Sequence, residues 1–435
     1  METIYSKELV EQVVAELGIT DLSRATIGQV VLLAVRLQEL TGIKFIRMDQ
    51  GVPGLDPNVI GREAEKAALD THCAAMYPAA EGIPPLKNES SRFIKAFLDI
   101  DIPAKCCIPV VGSVQGSYGS FIAVNQLDAE KDTVLFIDPG FPIQKSQLRI
   151  MGGKWEAFDI FEFRGEKLRS KLESYLAKGN ISSIIYSNPN NPAWICLDES
   201  ELQIIGELAT KYDVIVLEDL AYFCMDFRKD LSRPFQKPFA ASVARYTDNY
   251  ILMLSGSKIF SYAGQRIGIL AIGEKLFNTK YPLLAERYGT SGLFGQTLSA
   301  SILYMITSGA THTTQFALAA MMRAASDGEL NFVEETREYE RRAARMKQIF
   351  EANGFYVVYD EDVNEKVGDG FFFTIGYPGM TSGELMRELI YYGISSITLT
   401  TTGSEREGIR ACCSRMKPER FGVLEERLRK FRENH

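Results

Sequence analysis

The sequence predicts an α/β fold: a large domain with a mostly parallel, mixed sheet covered by helices, plus a smaller α+β domain. Two observations predict it. Through the middle of the chain, apolar strand runs alternate with amphipathic helices, as in repeated strand–helix–strand units. Beyond residue 326 the order changes, and several short strands follow one long helix. At 435 residues, 46% hydrophobic and 24% charged, the chain is long enough for more than one core.

The elements follow in order. VLFIDP (134–139) and ISSIIYSNP (181–189) read as buried strands ending in turn residues. DVIVLED (213–219) and NYILMLS (249–255) read the same way. Between them, residues 198–212 read as a helix, with Asp198 as N-cap and Glu201 three residues on. Residues 332–354 read as one long helix. Phe332, Thr336, Tyr339, Ala343, Met346 and Phe350 fall three and four apart and form its apolar stripe. FYVVYD, FFFTIGY, the helix SGELMRELIYYG, SSITLT and GIRACCS complete the smaller unit. The expected division is 48–325 for the large domain, with 1–47 and 326–435 joining as the small one.

Composition narrows the function. A net charge of −8 weighs against a nucleic-acid partner. Seven cysteines show no C-x-x-C, and His72, His312 and His435 are scattered, so no metal site is expected. Free thiols in a reducing cytosol are expected instead. The start METIYSKELVEQ has no apolar signal core, and VVLLAVRLQEL is broken by Arg36. A cytoplasmic protein with no membrane partner is expected.

Four stretches carry chemistry. In VVGSVQGSYGS (110–120), small residues open a helix, and the amides of Ser113, Val114 and Gln115 would wrap an anion. Alone, the stretch also reads as a tight turn. In YSNPNNPAWICLDE (186–199), two Asn-Pro steps make a rigid loop that would aim Asn191; taken alone, the stretch reads first as a plain strand-to-helix turn. VIVLEDLAYF (214–223) puts Asp219 at a strand end, with Tyr222 three residues later. A carboxylate there needs a cation, such as a protonated ring nitrogen, or else serves as a helix cap. In LSGSKIFSYAGQRIGI (254–269), Lys258 in a dry pocket would form a Schiff base with an aldehyde. Ser255, Ser257 and Arg266 would hold a phosphate.

In this order and spacing, the chain resembles the pyridoxal phosphate enzymes of fold type I, specifically the class I/II aminotransferases, from about Asp49 to Ser414. The resemblance implies pyridoxal 5'-phosphate as cofactor, a homodimer with shared sites, and amino-group transfer between an L-amino acid and a 2-oxo acid. It implies Lys258 as the Schiff-base lysine and proton shuttle, and Asp219 as partner of the pyridine nitrogen. It further implies Tyr222 and Asn191 on the ring oxygen and Phe141 stacked on the ring. Ser113, Val114, Gln115, Ser255 and Arg266 would form the phosphate cup. Tyr77, in YPAAEGIPPLK, resembles the tyrosine that reaches the partner subunit's phosphate. Gly51 resembles the loop beside the substrate, and Arg410 the arginine that grips its α-carboxylate.

There are departures. Ala193-Trp194 stands where Thr-Gly is usual. TLTTTGSE (398–405) replaces the usual Pro-Gly-x-x-Phe, and Leu220 follows Asp219 where Glu is frequent. The second alters a substrate-facing loop, so the amino acid used does not carry over. Dicarboxylate specificity would need a distal cation; Arg287, in AERYGTSG, is available, and no pattern places it. A C–S lyase or a decarboxylase on the same fold is the alternative. A cofactor-binding regulator is a third class, and no segment is long or basic enough to be its DNA-binding part.

Overall fold

A computed structural model describes residues 3–435. Thirteen strands form three sheets in the described residues. The first strand, β1 (Ile46–Arg47), precedes the large sheet. That sheet contains β2 (Cys107–Val110), β3 (Thr133–Asp138), β4 (Lys154–Asp159), β5 (Ile181–Ser187), β6 (Ile215–Leu220), β7 (Tyr250–Ser255) and β8 (Gly268–Ile272). The remaining strands are β9 (Tyr356–Val357), β10 (Phe372–Gly376), β11 (Ile394–Ser395), β12 (Ile397–Thr398) and β13 (Ile409–Cys412).

The seven strands run in the order β2-β8-β7-β6-β5-β3-β4. Strands β7, β6, β5, β3 and β4 are mutually parallel, and β8 is antiparallel to both of its neighbours. Side chains alternate between two cores, as strand geometry requires. Val134, Phe136, Ile185, Leu217 and Met253 face one core with Phe121 and Leu298. Leu135, Ile137, Ile184, Val216 and Leu252 face the other with Phe93 and Leu318. Burial on both faces is why these strands read as continuous apolar runs. The expected bounds are within about two residues of the observed ones.

Helix Glu199–Lys211 starts in a capping box: Asp198 accepts from the Glu201 amide, and Glu201 accepts from the Asp198 amide. The long C-terminal helix differs from expectation. It is two helices, Phe332–Thr336 and Glu338–Ala352. Thr336 Oγ1 donates back to Phe332 O and Val333 O, and the Arg337 amide is shared between Val333 O and Glu334 O. Such back-bonding by threonine disturbs the helical ladder. The apolar stripe still holds, with all six of its residues buried.

The N-terminal helices pack on the C-terminal part. Tyr391 Oη donates to Glu11 at 2.6 Å, and the Tyr5 amide donates to Tyr391 O at 2.9 Å. Strand β1 pairs parallel with β11. The segment before residue 47 thus has a strand partner that its own neighbourhood in sequence does not reveal. Strands β12-β13-β10-β9 form an antiparallel sheet beside it.

Candidate functional site

The carboxyl ends of β2, β3, β5, β6 and β7 converge on one cavity of about 280 Å³. That is where ligands gather in open α/β sheets. Each strand delivers its group at its carboxyl end or just beyond it, and the antiparallel β13 brings Arg410 from the other side.

Helix Gly112–Val124 begins just after β2 with its first turn at the cavity wall. Gly112 has φ +70°, and a Cβ there would lie 2.3 Å from Arg266 Nη2. Only a residue without a side chain lets the arginine lie against this helix start. Arg266 itself sits in the left-handed region at φ +51°, with Nη1 donating to Ala263 O at 2.8 Å. Ser113, Val114, Ser255 and Ser257 line the same corner. Amides at a helix start, hydroxyls and a guanidinium form an anion cup.

Asp219 is 6% exposed at the end of β6. Its Oδ1 accepts from the Ala221 amide at 3.1 Å and its Oδ2 from Gln144 Nε2 at 3.0 Å. Burial pushes its pKa up to about 6, against those two bonds and the Lys258 charge. Lys258 follows β7 in the short helix Gly256–Ile259. Burial pushes its ammonium down to about 8; Arg266 and Arg410 add to this and Asp219 opposes it. Part of its surface stays open to the cavity. A large share of the side chain is therefore neutral and nucleophilic near pH 8.

Tyr222 is buried between Trp194, Phe371 and Phe372, with ring centroids 5.3 to 5.4 Å away. Burial raises its phenol well above the ordinary value. Asn191 is fixed by its amide, which donates to Ser187 Oγ at 3.0 Å. Its Oδ1 accepts from Arg410 Nη1 at 3.1 Å. Arg410 is 1% exposed and bridged to no carboxylate among the described residues. Its Nη2 donates to the Asp49 carbonyl at 2.7 Å, its Nε is buried without a partner, and its plane lies 4.4 Å from the Phe372 ring centroid.

Gly51 and Phe141 also line the cavity. Two expected residues stand apart. The Gln115 side chain turns back on its own helix start: Oε1 accepts from the Val111 amide and Nε2 donates to Thr307. Gln115 does not line the cavity. Tyr77 is 81% exposed and lines a separate depression with Met76, Pro78 and Thr307. Gln144 and Ile27 were missed by sequence reasoning. Gln144 is one of two glutamines in helix Pro142–Met151, and nothing in its neighbours signals a bond to Asp219. Ile27 lines the cavity from a helix far off in sequence.

The site thus sits on an α/β sheet with a lysine and an aspartate at neighbouring strand ends. The chain belongs to the family described as Aminotransferase class I and II, which covers residues 43–428. It is 29% identical over 234 residues to a probable aspartate aminotransferase of Methanocaldococcus jannaschii, covering 53% of this chain and 58% of that one. It is 24% identical over 277 residues to an aspartate aminotransferase of Sulfolobus acidocaldarius, covering 62% and 65%. The chain thus spans less than two thirds of the length of these curated relatives. Its fold is that of a solved alanine aminotransferase from Pyrococcus furiosus, with a TM-score of 0.75 at 19% identity over 97% of this chain and 99% of that one. Among the described residues, no helix is long and apolar enough to cross a membrane.

Proposed function

We propose that the protein is a pyridoxal phosphate-dependent aminotransferase moving an amino group between an L-amino acid and a 2-oxo acid. One observation carries this reading. Lys258, with its lowered pKa, shares a cavity with a buried carboxylate, Asp219, and a buried arginine without an acidic partner, Arg410.

The donor set fits the cofactor. The cup at Gly112, with the Arg266 guanidinium against it, suits a phosphate dianion. Buried Asp219, backed by Gln144, suits a protonated ring nitrogen. When bound, pyridoxal phosphate supplies an electron sink for negative charge at the substrate α-carbon. Lys258 Nζ would hold the cofactor covalently. Once the amino substrate displaces it, the same Nζ would take the proton from the substrate α-carbon and deliver it to the cofactor's C4′ carbon. Asp219 would keep the ring nitrogen protonated, and Tyr222 and Asn191 would donate to the ring oxygen. Phe141 would cover one ring face, and Arg410 would bind the α-carboxylate through its planar fork.

Elimination and decarboxylation use the same residues. They are not favoured, because the relatives are named as aminotransferases. Exposed Tyr77 and Met76 support a homodimer in which this surface meets a second copy. We assign 48–325 to the large domain and 1–47 with 326–435 to the small one, and place the protein in the cytoplasm.

Borohydride reduction of the cofactor-loaded protein is expected to fix the cofactor to the peptide carrying Lys258, and Lys258→Ala is expected to abolish that label. Amino acids should convert the bound cofactor to its amino form, and a 2-oxo acid should restore it. Release of pyruvate and ammonia instead would overturn the reading in favour of a lyase.

A further inference from the structure

We propose that the amino acid this site takes has an uncharged, apolar side chain, seated between Ile27, Val52 and Ile143, and that dicarboxylic amino acids are disfavoured. The inference rests on the aminotransferase reading and deepens it.

The charges in the cavity are already committed. Lys258, Asp219, Arg266 and Arg410 are the charged residues on its wall, and each has a part in holding cofactor or α-carboxylate. No further lysine, arginine or histidine lines it among the described residues. Arg287 lies on helix Pro282–Tyr288 and does not reach the cavity wall of its own chain. The wall contributed by the N-terminal segment and by the turn after β3 is Ile27, Val52 and Ile143, with Gln50 as an uncharged polar group. A side-chain carboxylate placed there would meet no cation on this wall, whereas an apolar side chain would cover Val52 and Ile143, which are 42% and 38% exposed.

The atypical loop 398–405 fixes this wall from both sides. Thr398 Oγ1 donates to Ser23 O at 2.6 Å, just before the capping box of Thr26 and Gln29 that starts the helix at Ile27. At the other end, the Gly140 amide donates to Thr402 O at 2.8 Å, beside Phe141 and Ile143. Gly403, at φ +86°, lets the loop press on β3: a Cβ there would lie 2.3 Å from Asp138 Oδ2. One loop therefore holds Ile27 and Ile143 as the two sides of one apolar slot. It is also one of the three places in which the chain departs from the family pattern.

The test uses the cofactor-loaded protein and single half-reactions followed by the cofactor absorbance. Leucine and methionine are expected to react with kcat/KM at least about 10-fold above aspartate and glutamate. The α-methyl analogues, which bind but have no α-proton to lose, should show the same order in Kd. Ile27→Arg, and independently the exposed Val52→Arg, should raise kcat/KM for aspartate and lower it for leucine. A wild-type preference for aspartate or glutamate in both rate and Kd would overturn the proposal and point to a cation supplied by a second copy. If no amino acid of either class changes the absorbance, the aminotransferase reading itself fails.

Discussion

Arg410 shows how a single residue can be held ready for a ligand. Its guanidinium lies at 1% exposure, yet its fixed partners are a carbonyl and an amide oxygen. The nearby acid, Asp49, is already taken up by Arg47 at 2.7 Å and by Ser395. Burial pulls the Arg410 pKa below its ordinary range, which is the expected sign for an uncompensated buried cation. A carboxylate ligand would supply the missing charge and a partner for the orphaned Nε. Lysine keeps the charge but not the planar fork. Arg410→Lys is therefore expected to raise KM for the amino substrate by about 10- to 100-fold, the worth of a charged hydrogen bond. The absorbance of the bound cofactor should stay unchanged, and a KM within twofold of wild type would remove Arg410 from carboxylate binding. The grouping of Asp219, Asn191 and Lys258 is legible in sequence because each follows an apolar strand directly, where the chain must turn at the sheet's carboxyl edge. Gln144 and Ile27 are not legible, because their reach depends on which helix packs where.

Among the elements, the turn from β2 into helix Gly112–Val124 has the tightest geometry at the site. Its first residue is left-handed and has Arg266 Nη2 where a Cβ would go. Gly112→Ala would add backbone strain of about 1–3 kcal/mol and push the guanidinium out of the cup. The expected outcome is cofactor binding at least about 10-fold weaker, read by dialysis and absorbance, with kcat at saturating cofactor largely retained. Unchanged affinity would mean that this corner does not hold the phosphate. The loop after β5 shows the opposite choice. Trp194 occupies the left-handed region at φ +63° where glycine is usual, at a backbone cost of about 1–2 kcal/mol. Its ring is 1% exposed and meets Tyr222 edge-on at 5.4 Å, so packing around the site offsets the strain. Strands were legible to within about two residues, since burial on both faces leaves continuous apolar runs. The break at Arg337 was not, because the apolar stripe passes through it without interruption and the cause is a local threonine bond.

At the scale of the whole molecule, the sheet carries buried carboxylates whose titration makes stability depend on pH. Burial raises Glu218 to about 7, although Ser242, the Val243 amide and Tyr186 donate to it. Burial likewise raises Asp138 and Asp219 to about 6. In the unfolded chain these groups have lost their protons by about pH 4 to 4.5. Between there and pH 7 the folded chain binds more protons than the unfolded one, so stability falls as pH rises through this window. Glu218 isolates the effect, since it lies on β6 outside the cavity wall. At pH 5 its carboxyl is protonated in the fold and resembles a glutamine amide in charge. At pH 7.5 it is mostly ionised in an apolar interior. Glu218→Gln should therefore gain stability relative to wild type as pH rises from 5 to 7.5, read as the difference in urea midpoint between the two cofactor-loaded proteins. Because both proteins share Asp138, Asp219 and the cofactor, their contributions cancel in that difference. A difference that stays constant, or shrinks with rising pH, would show that the Glu218 proton is lost in the fold as readily as in the open chain.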